Sequence, residues 1–298
     1  MRRFIFAASL VLWTPAEAES LQVPARDLLD FPIGNLAEGA ALATASGDGF
    51  RNPATAVLAP GERARFSASA ISSPSVMGLS AQSASISAAV PRDVTATVSI
   101  VRAGVDGLFR TESDPQSIGE VPYHTVVISG GISRRESSFL TGGIALRYRT
   151  GTVDFERRAT LGIDGGVVLR GLPAIDGRLG LSTFLWTPAG GARERTTFNG
   201  AADMKVIGRD SLRQARFGGS WSHTKDFTDE KFLMLGGRLR EIEARAAVGR
   251  VEAFGDAAWR TRLGVGIHYG RFAVAVAREE SGADLAASYQ FALTAVLR

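Results

Sequence analysis

The chain offers few residues for chemistry. Its 298 residues contain three histidines and no cysteine. His124, His223 and His268 lie far apart, and none stands at a metal-ligand spacing from a second ligand. Without cysteine there is no disulfide framework, thiolate metal site or cysteine nucleophile. No Gly-x-Ser-x-Gly turn marks a hydrolase nucleophile. The pairs Gly130-Gly131, Gly142-Gly143 and Gly165-Gly166 lack the helix start that would make them a phosphate cradle, so they read as strand glycines. The sequence therefore predicts no catalytic residue, no metal ligand and no cofactor. It predicts no nucleic-acid partner and no enzyme.

The charges are more informative than the nucleophiles. Arg147 and Arg149, Asp203 and Lys205, Arg216, Glu243 and Arg245, and Arg260 and Arg262 alternate with apolar neighbours. Alternation with period two places the two kinds of residue on opposite faces of a strand. An Arg or Lys facing lipid at mid-bilayer costs about 2–4 kcal/mol, a cost relieved by facing inward. Arg147, Arg149, Lys205, Arg216, Arg245, Arg260 and Arg262 are thus candidates to line a mixed-charge lumen, with a basic constriction as the functional version. Salt bridging with no transport role is an equal alternative.

Strands must position these charges, and the pattern supplies them. Trp259, Thr261, Leu263, Val265, Ile267 and Tyr269 share one face, and Arg260, Arg262, Gly264, Gly266 and His268 the other. Tyr289, Phe291, Leu293, Ala295 and Leu297 alternate in the same way. Fourteen such segments are predicted. They lie near 63–71, 80–90, 94–105, 122–132, 138–149, 159–170, 177–187, 196–206, 212–223, 230–238, 241–253, 258–269, 271–279 and 285–297. The pair within 229–254 carries a helical preference, through Arg-Glu-Ile-Glu-Ala-Arg-Ala-Ala.

Connections after odd strands are expected to be long and outward: 72–79, 106–121, 150–158, 188–195, 224–229, 254–257 and 280–284. Those after even strands are expected to be short turns, with 254–257 breaking the rule. An even strand number, long loops at one end and short turns at the other are the pattern of an all-β, transmembrane antiparallel β-barrel. Tyr123, Tyr148, Trp186, Trp221 and Trp259 fall near the outer strand ends, where an interfacial aromatic girdle is expected.

The N-terminus reads as an export signal over 1–18. Arg2 and Arg3 precede an apolar run from Phe4 to Trp13, and Ala16-Glu17-Ala18 is a small-x-small cleavage site. No later run reaches the eighteen or so apolar residues of a spanning helix. The chain carries 34 basic and 30 acidic residues. Removing 1–18 leaves 32 against 29, too even a balance to imply an anionic partner. Residues 19–62 are Gly/Ala-rich and are expected to form an N-terminal periplasmic or hatch-like segment. Residues 63–298 are expected to form the barrel.

At Gly47-Asp48 and Asn52-Pro53-Ala54, just before the first strand, the chain resembles the FadL-type outer-membrane proteins, and in particular their PorV/PorQ-like relatives. The resemblance implies a fourteen-stranded barrel in the outer membrane of a Gram-negative cell. Asn52, Pro53 and Ala54 would be structural residues of the hatch. It implies either passive transport of small, hydrophobic molecules or a scaffold role as a partner in type IX protein secretion. Outer-membrane lipid, a hydrophobic small-molecule substrate and a secretion-system protein are the partners so implied. A soluble secreted β-sandwich or adhesion protein is the remaining alternative. The terminal Val296-Leu297-Arg298 departs from the aromatic last residue common among such barrels.

Overall fold

The computed structural model describes residues 22–31, 33, 35–44, 49–73, 78–111, 117–172, 176–187, 194–210, 212–253, 255–281 and 287–298. The proposed signal over 1–18, and Gly47-Asp48, lie outside these residues.

The strands run in chain order. The first three are β1 (Ala64–Ser72), β2 (Leu79–Val90) and β3 (Val94–Val105), followed by the short β4 (Phe109–Thr111) and β5 (Ser117–Glu120). Next come β6 (Tyr123–Arg135), β7 (Leu140–Val153), β8 (Glu156–Leu172), β9 (Gly177–Trp186) and β10 (Thr197–Asp210). The last six are β11 (Arg213–Thr224), β12 (Thr228–Leu239), β13 (Ile242–Ala253), β14 (Asp256–Tyr269), β15 (Phe272–Ser281) and β16 (Ser288–Leu297). All except β4 and β5 close into one antiparallel barrel of fourteen strands, in which β1 pairs with both β2 and β16. Closure removes the free strand edges that a lipid environment would leave unbonded. A sandwich of two sheets is overturned by this topology.

Each predicted strand has a counterpart. The doubtful pair forms β12 and β13, which share an unbroken register from Thr228↔Ala253 to Leu239↔Ile242. Pairing on both sides outweighs the local helical preference. The loops need correction. The expected long connection 150–158 is a two-residue turn, Asp154-Phe155, because β7 and β8 continue pairing up to Val153↔Glu156. The connection after β11 shrinks to 225–227, and 106–121 contains the β4–β5 hairpin. We call the end where β1 begins and β16 ends the terminal rim, and the opposite end, where the Gln22 carbonyl meets Arg158, the far rim.

Strand β14 shows how the wall is built. Leu263, Val265 and Ile267 are 61%, 54% and 55% exposed, while Arg262, which faces the lumen from the same strand, is 4% exposed. Phe291 and Leu293 on β16, and Leu233 and Leu235 on β12, continue this apolar outer belt. The inner face carries Ser, Thr, Asn, Gly and the charged residues. Of the expected girdle, Tyr148, Trp186, Trp221 and Trp259 are exposed on the outer face. Tyr123 is the exception: it turns inward and its hydroxyl donates to Asp27.

The N-terminal stretch occupies the lumen. It forms three short 3-10 turns, Asp27–Leu29, Ala40–Leu42 and Pro53–Ala56. The first packs on β3 and β6, the second on β8–β11 and the third on β6–β8. Its buried side chains Leu28, Leu29, Ile33 and Phe50 join Ile71, Leu79, Val101 and Val127 of the wall in one apolar cluster.

Candidate functional site

The site is the lumen itself, and it has two unlike sides. One is a dry seat on β6–β9. Gly143 of β7 and Gly166 of β8 lie directly opposite each other. They leave a bare floor on which Asn52, Pro53 and Ala54 rest. A Cβ at Gly143 would overlap the Pro53–Ala54 peptide, and one at Gly166 would overlap Asn52 Oδ1. Two of the three sequence glycine pairs therefore serve the close approach of Asn52-Pro53-Ala54.

Asn52 is wholly buried. Its Oδ1 accepts from the Ala54 amide at 3.0 Å, and its Nδ2 donates to the Ala41 carbonyl at 2.7 Å and the Val167 carbonyl at 3.4 Å. It thus caps the Pro53 turn, ties it to the Ala40–Leu42 turn and pins both to β8. Proline fits the first position of that turn because its missing amide proton has no partner to satisfy there.

Next to this seat is a buried ion-pair cluster. Arg147 bonds Asp164 and the Phe50 carbonyl, and its guanidinium lies 4.7 Å from the Phe50 ring centre and 4.8 Å from that of Phe184. The rings meet edge to face at 5.1 Å. Arg149 donates to Pro24 O at 2.5 Å and Thr125 Oγ1 at 3.1 Å, and pairs with Glu194. Glu194 precedes β10 on the far-rim loop and also faces Arg26 at 3.6 Å. A loop residue thus grips both wall and N-terminal stretch. Burial raises the Glu194 carboxyl above its usual range against the pull of Arg149 and Arg26. Burial likewise raises Asp30, beside Arg26, and pulls the Arg51 guanidinium down to about 10.

A bulge shapes this side. Leu185 has φ +56°, and the β8–β9 register shifts between Ile163↔Trp186 and Gly165↔Thr183. Phe184 and Leu185 are both fully buried, so alternation breaks and two successive side chains turn inward. The Leu185 amide freed from the ladder donates to Asp164 Oδ1 at 2.7 Å.

The other side, on β9–β13, is wet. A partly open cavity of about 70 Å³ lies between the N-terminal stretch and the wall, toward the terminal rim. Leu42, Met234 and Gly236 give it an apolar flank, and Arg178, Asp203, Arg216, Glu243 and Arg245 a charged one. Asp203 takes Arg178 at 3.0 Å and Arg216 at 2.8 Å. Arg245 bonds Glu243 at 3.1 Å and faces Glu38 at 3.6 Å. Lys205 pairs with Asp176 in the turn before β9; the bond from Lys205 holds the Asp176 carboxyl below its usual range. Toward the far rim, Glu279 takes Arg260 at 2.9 Å and Arg262 at 2.5 Å, and Arg262 lies 3.9 Å from the Phe232 ring centre.

All seven basic candidates therefore lie on the inner side, each against a carboxylate. Arg147 and Arg149 sit at the seat, Lys205, Arg216 and Arg245 around the cavity, and Arg260 and Arg262 on the β14 wall. Asp164, Glu194, Phe50 and Phe184 complete the seat and were not singled out from the sequence. Asp164 carries a visible signal, a lone carboxylate on the inner face of an apolar strand; the inward turn of Leu185 carries none. His268 faces Glu243 at 3.1 Å, and His223 stacks on Trp221 on the outer surface.

A closed fourteen-strand barrel with an apolar outer belt and a polar lumen is the architecture of outer-membrane channels. Solved structures share it. A deletion variant of TodX, a monoaromatic hydrocarbon channel, matches at TM-score 0.59 and 10% identity, over 82% of this chain and 92% of that one. CymD, a monoaromatic hydrocarbon channel, matches at TM-score 0.53 and 12% identity, over 94% of this chain and 99% of that one. At such identity the likeness establishes the fold. No protein-family model matches the chain, and no curated protein sequence matches it.

Proposed function

We propose that this protein is an outer-membrane β-barrel that lets small, hydrophobic molecules cross passively, with residues 19–62 as its hatch and 1–18 as a signal removed near Ala18. The observation that carries this reading is the position of the cavity. Gly236 and Gly237 of β12 separate it from an apolar groove on the outer wall, lined by Leu235, Ala244, Leu263 and Val276. Leu235 and Arg245 border both spaces, and at the two glycines between them β12 contributes no side chain to the partition. The named activity of the two hydrocarbon channels, and the FadL-type resemblance, agree with it.

A second reading, a PorV-like scaffold or accessory barrel in protein secretion, draws on the dry seat. Every adjacent strand pair of the barrel is bonded, and the seat is plugged by buried ion pairs. Uptake of a monoaromatic hydrocarbon into proteoliposomes separates the two. Flux above that of protein-free vesicles is expected; flux equal to theirs overturns transport and leaves the scaffold. Fractionation tests the location: a heat-modifiable band in the outer-membrane fraction is expected, and recovery as a soluble periplasmic protein overturns it.

A further inference from the structure

The two rims differ in charge. On the far rim the exposed carboxylates Asp106, Glu120, Asp226, Glu252, Asp256 and Glu280 stand among exposed Arg102, Arg157, Lys225 and Arg250. The terminal rim is basic: Arg63, Arg92, Arg213, Arg240, Arg271 and Arg298 are all exposed. Among the described residues none of these six makes a side-chain hydrogen bond or ion pair. The exposed carboxylates described on this rim are Asp93, Glu136, Asp176, Asp210 and Glu241; Glu136 faces Arg134, Asp176 pairs with Lys205, and Asp210 Oδ1 is taken by the amides of Leu212 and Arg213.

Four of the arginines follow a further rule. Arg213 adjoins Leu212 (50% exposed), Arg240 adjoins Leu239 (65%), Arg271 adjoins Phe272 (57%), and Arg298 adjoins Leu297 (45%). The register makes them neighbours along one arc: Arg213 opposes Leu239, Leu239 opposes Ile242, and Tyr269, 79% exposed, opposes Phe272. Apolar side chains that end the outer belt, each beside an unpaired guanidinium, are the arrangement expected where acyl chains meet headgroups. Guanidinium binds phosphate oxygens through paired N–H donors, which suits it to phosphodiesters.

We infer that the β11–β16 arc of the terminal rim binds the phosphates of anionic phospholipids in the adjacent leaflet. The inference rests on the membrane-barrel reading and adds a lipid preference to it. Leu239, Phe272 and Leu297 sit in the acyl region, Arg240, Arg271 and Arg298 lie beyond them at the level of the phosphates, and Arg213, level with Leu239, extends its guanidinium toward them. The far rim, with mixed signs, lacks this preference.

Native mass spectrometry of the refolded full barrel, released from mixed phosphatidylglycerol and phosphatidylcholine vesicles, measures retained lipid. Phosphatidylglycerol is expected to be retained about five-fold over phosphatidylcholine for each well-placed arginine. The preference should shrink in 0.5 M salt, about where screening becomes severe. The combined variant Arg213→Gln, Arg240→Gln, Arg271→Gln and Arg298→Gln should lose it while keeping its heat-modifiable band. No preference in the unaltered barrel, a preference untouched by salt, or one retained by the variant overturns the inference and leaves the barrel intact. Absence of a heat-modifiable band in any vesicle overturns the barrel reading first, and this inference with it.

Discussion

The seat on β6–β9 and the cavity on β9–β13 use the same residue types to opposite ends. At the seat, Arg147 and Asp164 are 1% and 0% exposed and are enclosed by Phe50 and Phe184. At the cavity, Arg178 and Asp203 are 28% and 10% exposed and border the open space. A buried pair is costly to break because one partner is left charged and dry. A pair that keeps water loses little when one side is removed. The lumen therefore joins a dry half, where buried ion pairs hold the N-terminal stretch, to a more open half with partly exposed ion pairs.

The largest expected effect attacks the dry half. Asp164→Ala strands the Arg147 guanidinium and the Leu185 amide together, and should cost about 3–5 kcal/mol of stability in urea unfolding from vesicles. Asp203→Ala should cost less than about 1 kcal/mol in the same assay. Comparable costs would erase the distinction between the two halves.

The glycine floor comes next. Gly166→Val places side-chain atoms where Asn52 sits, so it should dislodge the hatch motif and raise single-channel conductance in planar bilayers. Unchanged conductance would mean that the motif does not obstruct the pore. Asn52→Ala removes the cap without adding bulk; it should cost about 1–3 kcal/mol through the partners left unsatisfied at Ala41 and Ala54.

On the wet side, Asp203→Asn leaves Arg178 and Arg216 without their shared charge. The reversal potential in a salt gradient should shift toward anion preference with little change in stability. An unchanged reversal potential would place these groups away from the conducting path.

The smallest effect is a divergence with pH. Burial raises Asp30 above its ordinary value of 3.8, so its contribution to docking is full below 3.8 and fades as pH rises through the folded-state value. Asp176 is held low by Lys205, so its contribution is present above 3.8 and is lost as pH falls through its folded-state value. Hydrogen exchange, corrected for intrinsic rates, should therefore slow around residues 26–33 on acidification toward pH 4, and quicken around 176–178 only once the pH falls below 3.8. Parallel changes in both segments would deny that the two sides have opposite electrostatics.

Much of this molecule was legible because a lipid-facing wall leaves a strict imprint. The alternation around Leu263–Ile267 and Phe291–Leu293 placed strands within a few residues of their observed ends, and the cost of charge in lipid put Arg147, Arg149 and Arg262 on the inner face. Loop lengths were harder to read. Whether β7 and β8 stop at the membrane or continue to Val153 and Glu156 is decided by cross-strand pairing. The seat was the least legible part. The inward turn of Leu185, the reach of Glu194 from its loop and the opposition of Gly143 to Gly166 depend on partners remote in sequence. Asn52-Pro53-Ala54 showed a turn, but its floor lies about ninety residues or more further along the chain.

The hydrogen bond from the Leu36 amide to Gln290 Oε1 at 3.2 Å ties together positions 254 residues apart. Its acceptor lies on β16, the strand that seals the ring against β1. The segment that emerges early from the ribosome thus finds one of its contacts on nearly the last segment made. Long-range contacts of this kind demand loop closure before they return any stabilisation, and so form late. The order of events follows: the N-terminal stretch takes its final place as the β1–β16 seam zips. A chain truncated before β16 is left with an open sheet and an N-terminal stretch that lacks its Gln290 partner.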